Sequence, residues 1–241
     1  MRTCVHEHCG RRSTLQFAKK NEFIDVPNMQ EPTRIIAIRH GETAWNVDTR
    51  IQGQLDIPLN ANGRWQAERL AESLRDEPIR AIYASDLARA WETAQYLGQT
   101  QSLPVTKEIG LRERGFGEFE GHTFLEIEQQ LPEQSLLWRT RDPDFSPSGG
   151  ESLTALRARV IQAVDRLAAQ HAGEQIALVG HGGVMDVLYR AATRLGIQAP
   201  RTWALGNAAI NRLLWTPEGF SLVGWSDTRH LDEDVLDEAV G

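Results

Sequence analysis

Six residues, Arg34-Ile35-Ile36-Ala37-Ile38-Arg39, constrain this chain more than any other stretch. A β-branched run of that kind fits a strand buried on both faces, and such a strand needs helices above and below it. Pro78 to Ala84 and Gln175 to Val179 read the same way, and Val105 begins a brief strand between them. Amphipathic stretches separate the runs. Asn60 opens a helix to about Arg75, with Trp65, Leu70 and Leu74 near helical spacing. Ser85-Asp86 offers N-cap chemistry to a helix through Tyr96 and Leu97. Ser152, after Gly149-Gly150, caps a long helix to about His171, and His181-Gly182-Gly183 leads into another. The charged stretch from Leu111 to Gly150 reads as loop, with one short helix around Phe124 to Leu131. Asn211 to Trp215 and Phe220 to Trp225, parted by Pro217-Glu218-Gly219, read as a hairpin.

Strands alternating with helices predict an α/β fold, a mostly parallel central sheet with helices on both faces in three layers. Right-handed crossovers then gather the carboxyl ends of the strands along one edge, where ligands bind in open sheets of this kind. The first, second and fourth strands end at Arg39-His40, Ser85-Asp86 and Gly180-His181. That edge collects two histidines and a cation. Gly41 is expected to permit a turn there that other residues resist.

Composition narrows the function classes. Of 241 residues, 41% are hydrophobic, enough for a single core. The formal net charge of −7 argues against a nucleic-acid binder, because an acidic chain repels phosphate backbones unless it concentrates a basic patch. No apolar run approaches the roughly 20 residues of a membrane helix. Two cysteines form no disulfide scaffold and fit a reducing, cytoplasmic setting. Residues 1–30 are polar and basic without periodicity, and lack the apolar core of a secretory signal. They are expected to form a disordered leader before a domain spanning 31–241. Cys4, His6, His8 and Cys9 are ligand types for zinc. Crowded within six consecutive residues, they lack the usual spacing across a folded loop, and no metal is expected.

Five blocks carry a recognisable pattern: Arg39-His40-Gly41-Glu42-Thr43 with Asn46, Ser85-Asp86-Leu87-Ala88-Arg89-Ala90, Leu111-Arg112-Glu113, Gly149-Gly150-Glu151-Ser152, and His181-Gly182-Gly183. In this order they resemble the histidine phosphatase superfamily, which includes the phosphoglycerate mutases, over residues 34 to 231. The resemblance implies a phosphomonoester as substrate and His40 as the nucleophile that holds the phosphoryl group covalently. Arg39 and Arg89 would grip phosphate oxygens in the planar, bidentate manner that lysine cannot imitate. His181 would donate to the phosphoryl oxygen as an imidazolium, beside the Gly182 amide at a helix start. Glu113 would protonate the leaving alkoxide and then activate water. Spacing alone does not separate Glu113 from Glu108, Glu118 and Glu120. Asn46 and Gln52 match polar positions of the first loop that could bond phosphate oxygens, and Ser85 and Glu151 would support the pocket. The cationic set requires neither metal nor cofactor.

Within that superfamily the fork is between hydrolysis and mutase chemistry. Cofactor-dependent mutases carry a longer insert with paired arginines and several prolines. Here Trp138-Arg139-Thr140-Arg141-Asp142-Pro143 separates its arginines and has no proline run, which favours a phosphatase acting on a small phosphorylated metabolite. A phosphoglycerate mutase, or a pocket that binds a phosphorylated ligand without turnover, are the alternatives. Trp45, Trp203, Trp215 and Trp225 are expected to pack in the core, whereas Trp138 is expected to roof the pocket.

Overall fold

The computed structural model describes residues 31–232 together with Met1; the leader with its Cys4–Cys9 cluster lies outside the described residues. Strand β1 (Thr33–Arg39) leads into a one-turn helix α1 (Ala44–Val47), then α2 (Ala61–Ser73), β2 (Ile79–Ala84), α3 (Ala88–Gln101) and β3 (Val105–Lys107). Two 3₁₀ turns precede α4 (Phe124–Gln130) and α5 (Pro132–Arg139). Helix α6 (Leu153–Ala168), β4 (Gln175–Gly180), α7 (Gly182–Thr193) and the hairpin β5 (Ile210–Thr216) and β6 (Gly219–Asp227) follow, with a last 3₁₀ turn at Arg229–Leu231.

The six strands form one sheet in the order β3-β2-β4-β1-β5-β6. The first four run parallel, and the hairpin adds two antiparallel strands on the β1 side. Side chains of β1 alternate between two cores. Ile35 and Ala37 pack with Leu156, Val160 and Val164 of α6 and with Val184 and Leu188 of α7. Ile36 and Ile38 pack with Leu70 of α2 and with Ala90, Ala94 and Leu97 of α3. This is the three-layer arrangement expected, and every residue of β4 is buried because helices cover both of its faces.

Several local expectations need correction. Trp65 is 39% exposed; the buried stripe of α2 is Gly63, Ala67, Leu70 and Ala71. Gly41 does not adopt a positive φ. It is needed because the chain presses against α2 there: a Cβ on Gly41 would lie 2.4 Å from the Gly63 carbonyl oxygen. The start of α3 is capped from another loop, since the Asp56 carboxylate accepts the Ala88 N–H at 2.6 Å while Asp86 pairs with Arg112. Helix α6 stops at Ala168, before His171. The stretch read as loop holds a second helix, α5, which opens with Pro132 in its first turn, a position where the missing N–H costs nothing.

Candidate active site

Strand order decides what meets at the carboxyl edge. Because β4 lies between β1 and β2, their ends stand side by side: Arg39 pairs with Gly180, and Ala84 with Val179. One residue further, the His40 N–H donates to the Gly180 carbonyl at 3.0 Å and the Ser85 N–H to that of Val179 at 3.0 Å. His40, Ser85 and His181 thus project from adjacent strand ends, and the two imidazoles stand 5.2 Å apart between ring centroids.

The tautomer of His40 follows from its partner. Nδ1 lies 2.7 Å from the Gly41 carbonyl, which can only accept, so Nδ1 carries the proton and Nε2 keeps its lone pair. Burial pushes the His40 pKa well below the ordinary imidazole value, and the charges of Arg89 and Arg39 push the same way. The ring is therefore neutral at physiological pH. Asn207 braces it from behind by donating to the His40 carbonyl at 3.0 Å.

Arg89 is almost completely buried on α3. Its guanidinium donates to the carbonyls of Gly53 at 2.7 Å and Leu55 at 2.8 Å, and its Nε has no partner. Burial lowers its pKa to about 10, which leaves it charged at neutral pH. Arg39 donates one Nη1 bond to the Leu205 carbonyl and also leaves Nε unpartnered. His181 makes a 2.8 Å Nε2 bond with Ser85 Oγ, while its buried Nδ1 has no partner. Burial first, then Arg89 and His40, hold the His181 pKa well below its ordinary value. These surroundings favour a neutral His181 rather than an imidazolium. A neutral ring still donates through Nδ1–H when Nε2 accepts from the serine hydroxyl.

Geometry separates Glu113 from its neighbours. The Gly183 N–H at the start of α7 reaches both carboxylate oxygens, at 3.0 and 3.1 Å, and the Arg114 N–H reaches one at 2.8 Å. Gly183 is required for this approach, because a Cβ there would fall 2.2 Å from Glu113 Oε1. Glu108 instead pairs with Arg166, Glu118 accepts the Ser148 N–H, and Glu120 accepts the amides of Gln54 and Phe116. Arg39, Glu113 and Gly182 line a cavity of about 750 Å³. Glu151 makes a bidentate ion pair with Arg159, whose guanidinium also holds the carbonyls of Gly110, Arg112 and Glu113. It therefore acts on the loop carrying Glu113.

The two remaining candidates lie less directly on the site. Asn46 spends its side-chain oxygen on Thr43 in a capping box and on Asn207. Gln52 is buried beside Gly53, with its amide oxygen unpartnered. Trp138 does line the cavity, stacked on Phe124 at 4.4 Å between centroids. Trp215 packs in the core with its N–H on Asp165, as expected, and Trp203 is buried against Tyr189. Sequence reasoning missed Arg159, Asn207 and Gln54, which donates to the Glu113 carbonyl at 3.1 Å. Each acts on backbone more than 40 residues away in the chain, and no local pattern marks such a role.

Three buried nitrogens at one sheet edge lack partners: Nε of Arg39, Nε of Arg89 and Nδ1 of His181. Buried donors are nearly always satisfied, so this cluster calls for a ligand rich in acceptor oxygens. The comparisons agree in kind. The family model for the histidine phosphatase superfamily (branch 1) matches residues 35–228. A phosphoglycerate mutase-like protein 4 of Arabidopsis thaliana is 38% identical, with 83% of this chain and 87% of the relative covered. A metal-independent phosphoserine phosphatase of the same plant is 37% identical, with 86% and 87% covered. The solved structure of a mycobacterial glucosyl-3-phosphoglycerate phosphatase in complex with VO3 superposes with a TM-score of 0.74 at 34% identity, covering 81% of this chain and 99% of that one.

Proposed function

The chain belongs to the histidine phosphatase superfamily, and we propose that it is a phosphomonoester hydrolase working through a phosphohistidine at His40. Similarity to two proteins named as phosphatases supports hydrolysis over a mutase reaction. The observation that carries the mechanism is the His40 Nδ1 bond to the Gly41 carbonyl, which presents an unprotonated Nε2 beside the unpartnered donors of Arg39, Arg89 and His181.

Nε2 of His40 attacks phosphorus in line, and the bond from phosphorus to the alcohol oxygen breaks with its electron pair. Glu113 gives a proton to that leaving oxygen. Water then attacks the phosphohistidine, Glu113 takes its proton, the N–P bond breaks, and inorganic phosphate departs. Arg39, Arg89 and His181 carry the charge on the equatorial oxygens throughout, and fixed donors are effective because they need not reorganise. Ser85 sets the His181 ring so that Nδ1 faces the oxygens. Residues 31–241 are the working unit, acting on a small phosphorylated metabolite in the cytoplasm, with no part for residues 1–30.

Phosphate release from a panel of phosphomonoesters, with and without bisphosphoglycerate, tests the reaction. Release independent of bisphosphoglycerate is expected, with an acid-labile, base-stable label on the protein that His40→Ala abolishes. Activity should fall about 10⁶-fold in that variant, the scale seen when a covalent nucleophile is removed. A fully active His40→Ala enzyme would end the mechanism, and isomerised ester in place of free phosphate would point to a mutase.

A further inference from the structure

Phosphoryl transfer gives no task to two arginines that stand beside the acid. Arg114 follows Glu113 in the chain and is 3% exposed. Its guanidinium donates to the carbonyls of Glu151 at 2.7 Å and Phe145 at 3.0 Å, and lies 5.2 Å from the centre of the Phe116 ring. Burial lowers its pKa to about 10, against the attraction of Glu151 and Glu113, so it is charged at neutral pH. An apolar side chain of similar volume would fill the same space without burying a charge, so the fork of donors has a use beyond packing.

Arg159, on α6, works from the other side of the same loop. Nη1 donates to the carbonyls of Gly110 and Arg112, each at 3.0 Å, and Nη2 to that of Glu113 at 3.3 Å. Nε and Nη2 also hold the two carboxylate oxygens of Glu151, at 2.9 and 2.7 Å. Glu151 is the piece that both arginines share. Arg159 takes its carboxylate, Arg114 takes its carbonyl, and its own N–H donates to the Gly115 carbonyl at 2.7 Å. The backbone on either side of Glu113 is thereby gripped from α6 and from the start of that helix. Arg114 then closes the link, because its own N–H donates to Glu113 Oε1 at 2.8 Å.

We infer that Arg114 and Arg159 are positioning residues for the general acid, fixing its loop through Glu151 so that the Glu113 carboxylate meets the leaving oxygen. This rests on the phosphatase reading and adds what aims its proton. A misplacement of about 1 Å can cost about 100-fold in rate, so a loop free to shift would deliver the proton poorly. His40 is set by its contacts with Gly41, Gly180 and Asn207, in which neither arginine takes part. The effect of the arginines is therefore confined to steps in which Glu113 moves a proton.

Glycerol 3-phosphate and phosphoserine release an alkoxide that needs a proton, whereas nitrophenyl phosphate does not. Arg114→Lys and Arg159→Lys keep the charge and lose the fork. Each should lose about tenfold or more in kcat on the better of the two alkyl esters, with KM nearly unchanged. The phenol burst from nitrophenyl phosphate should slow by less than about threefold. Introduced into Glu113→Gln, either substitution should add almost nothing to the loss on the alkyl ester, because no proton remains to be aimed. A burst that slows as much as alkyl ester cleavage, a loss carried by KM, or losses that multiply with Glu113→Gln would overturn the positioning role. Full activity in both variants overturns it too, and so does failure of both to fold, which would assign the arginines to the fold alone. All of these leave the phosphatase standing, whereas an unaltered protein that releases phosphate from none of the three esters overturns both.

Discussion

Arg39 and Trp138 line the same cavity, yet the strand ladder fixes the first and aromatic stacking fixes the second. At the phosphate end, hydrogen bonds to backbone carbonyls set His40, Arg39 and Arg89, and Glu113 rests on two backbone amides. Moving any of them means moving the sheet, α3 or the start of α7. At the roof, Trp138 lies against Phe124, Phe116 and Phe119, and its own neighbours Leu136 and Leu137 are exposed. Side chains there can change while the helices stay. One end of the cavity thus has the rigidity that chemistry demands, and the other has the freedom that substrate choice uses.

The largest effect should come from the phosphate end. Glu113→Gln is expected to lose about 100-fold or more on esters with poor leaving groups, the usual scale for a general acid. The burst of phenol from nitrophenyl phosphate, whose leaving group needs no proton, should slow far less. An equal slowing of the burst, or the selective pattern in Glu118→Gln, would remove Glu113 from the role.

A smaller effect concerns the energy stored at that end. His40 and His181 are held neutral, with pKa values well below those of the unfolded chain. As pH falls through about 6.5, the unfolded chain takes up protons that the folded protein refuses, and folding stability declines. The limit is about 1.4 kcal/mol per pH unit for each histidine, and the loss levels off below the folded pKa values. His230, lowered mainly by burial, adds to the same trend. Urea midpoints at pH 7.0 and 5.5 should differ accordingly, and His181→Asn should flatten the slope. Identical midpoints would mean that the edge accepts protons freely.

The smallest effect belongs to the roof. Trp138→Ala should cost about 2 kcal/mol of stability, less than a fully buried tryptophan, and raise KM several-fold with a smaller change in kcat. A loss in kcat matching that of Glu113→Gln would erase the distinction between the two ends.

Much of the architecture was legible because its signals are local. The alternation of apolar strands and amphipathic helices gave the order of elements, and Asn60 and Ser152 cap α2 and α6 as their residue types predict. Helix α5 escaped because five of its residues, Pro132, Glu133, Leu136, Leu137 and Arg139, are exposed and the apolar stripe is weak. Trp65 misled because a large apolar residue on helical spacing need not face the core when small residues do. His40, Arg39, Arg89, His181 and Glu113 were legible as members of ordered motifs, whereas Arg159 and Asn207 belong to none of them.

Local patterning places His40, Ser85 and His181 at the strand ends, because hydrophobic period, glycines and caps act over a few neighbouring positions. The closed sheet, by contrast, puts β4 between β1 and β2, and with it brings His40, Ser85 and His181 together. It likewise sets Glu113 apart from the other three glutamates, by offering it the free amide of Gly183, 70 residues along the chain. Such choices depend on partners far apart in the chain and on which backbone groups are still unpaired once the sheet has closed, and nothing local in a sequence records either.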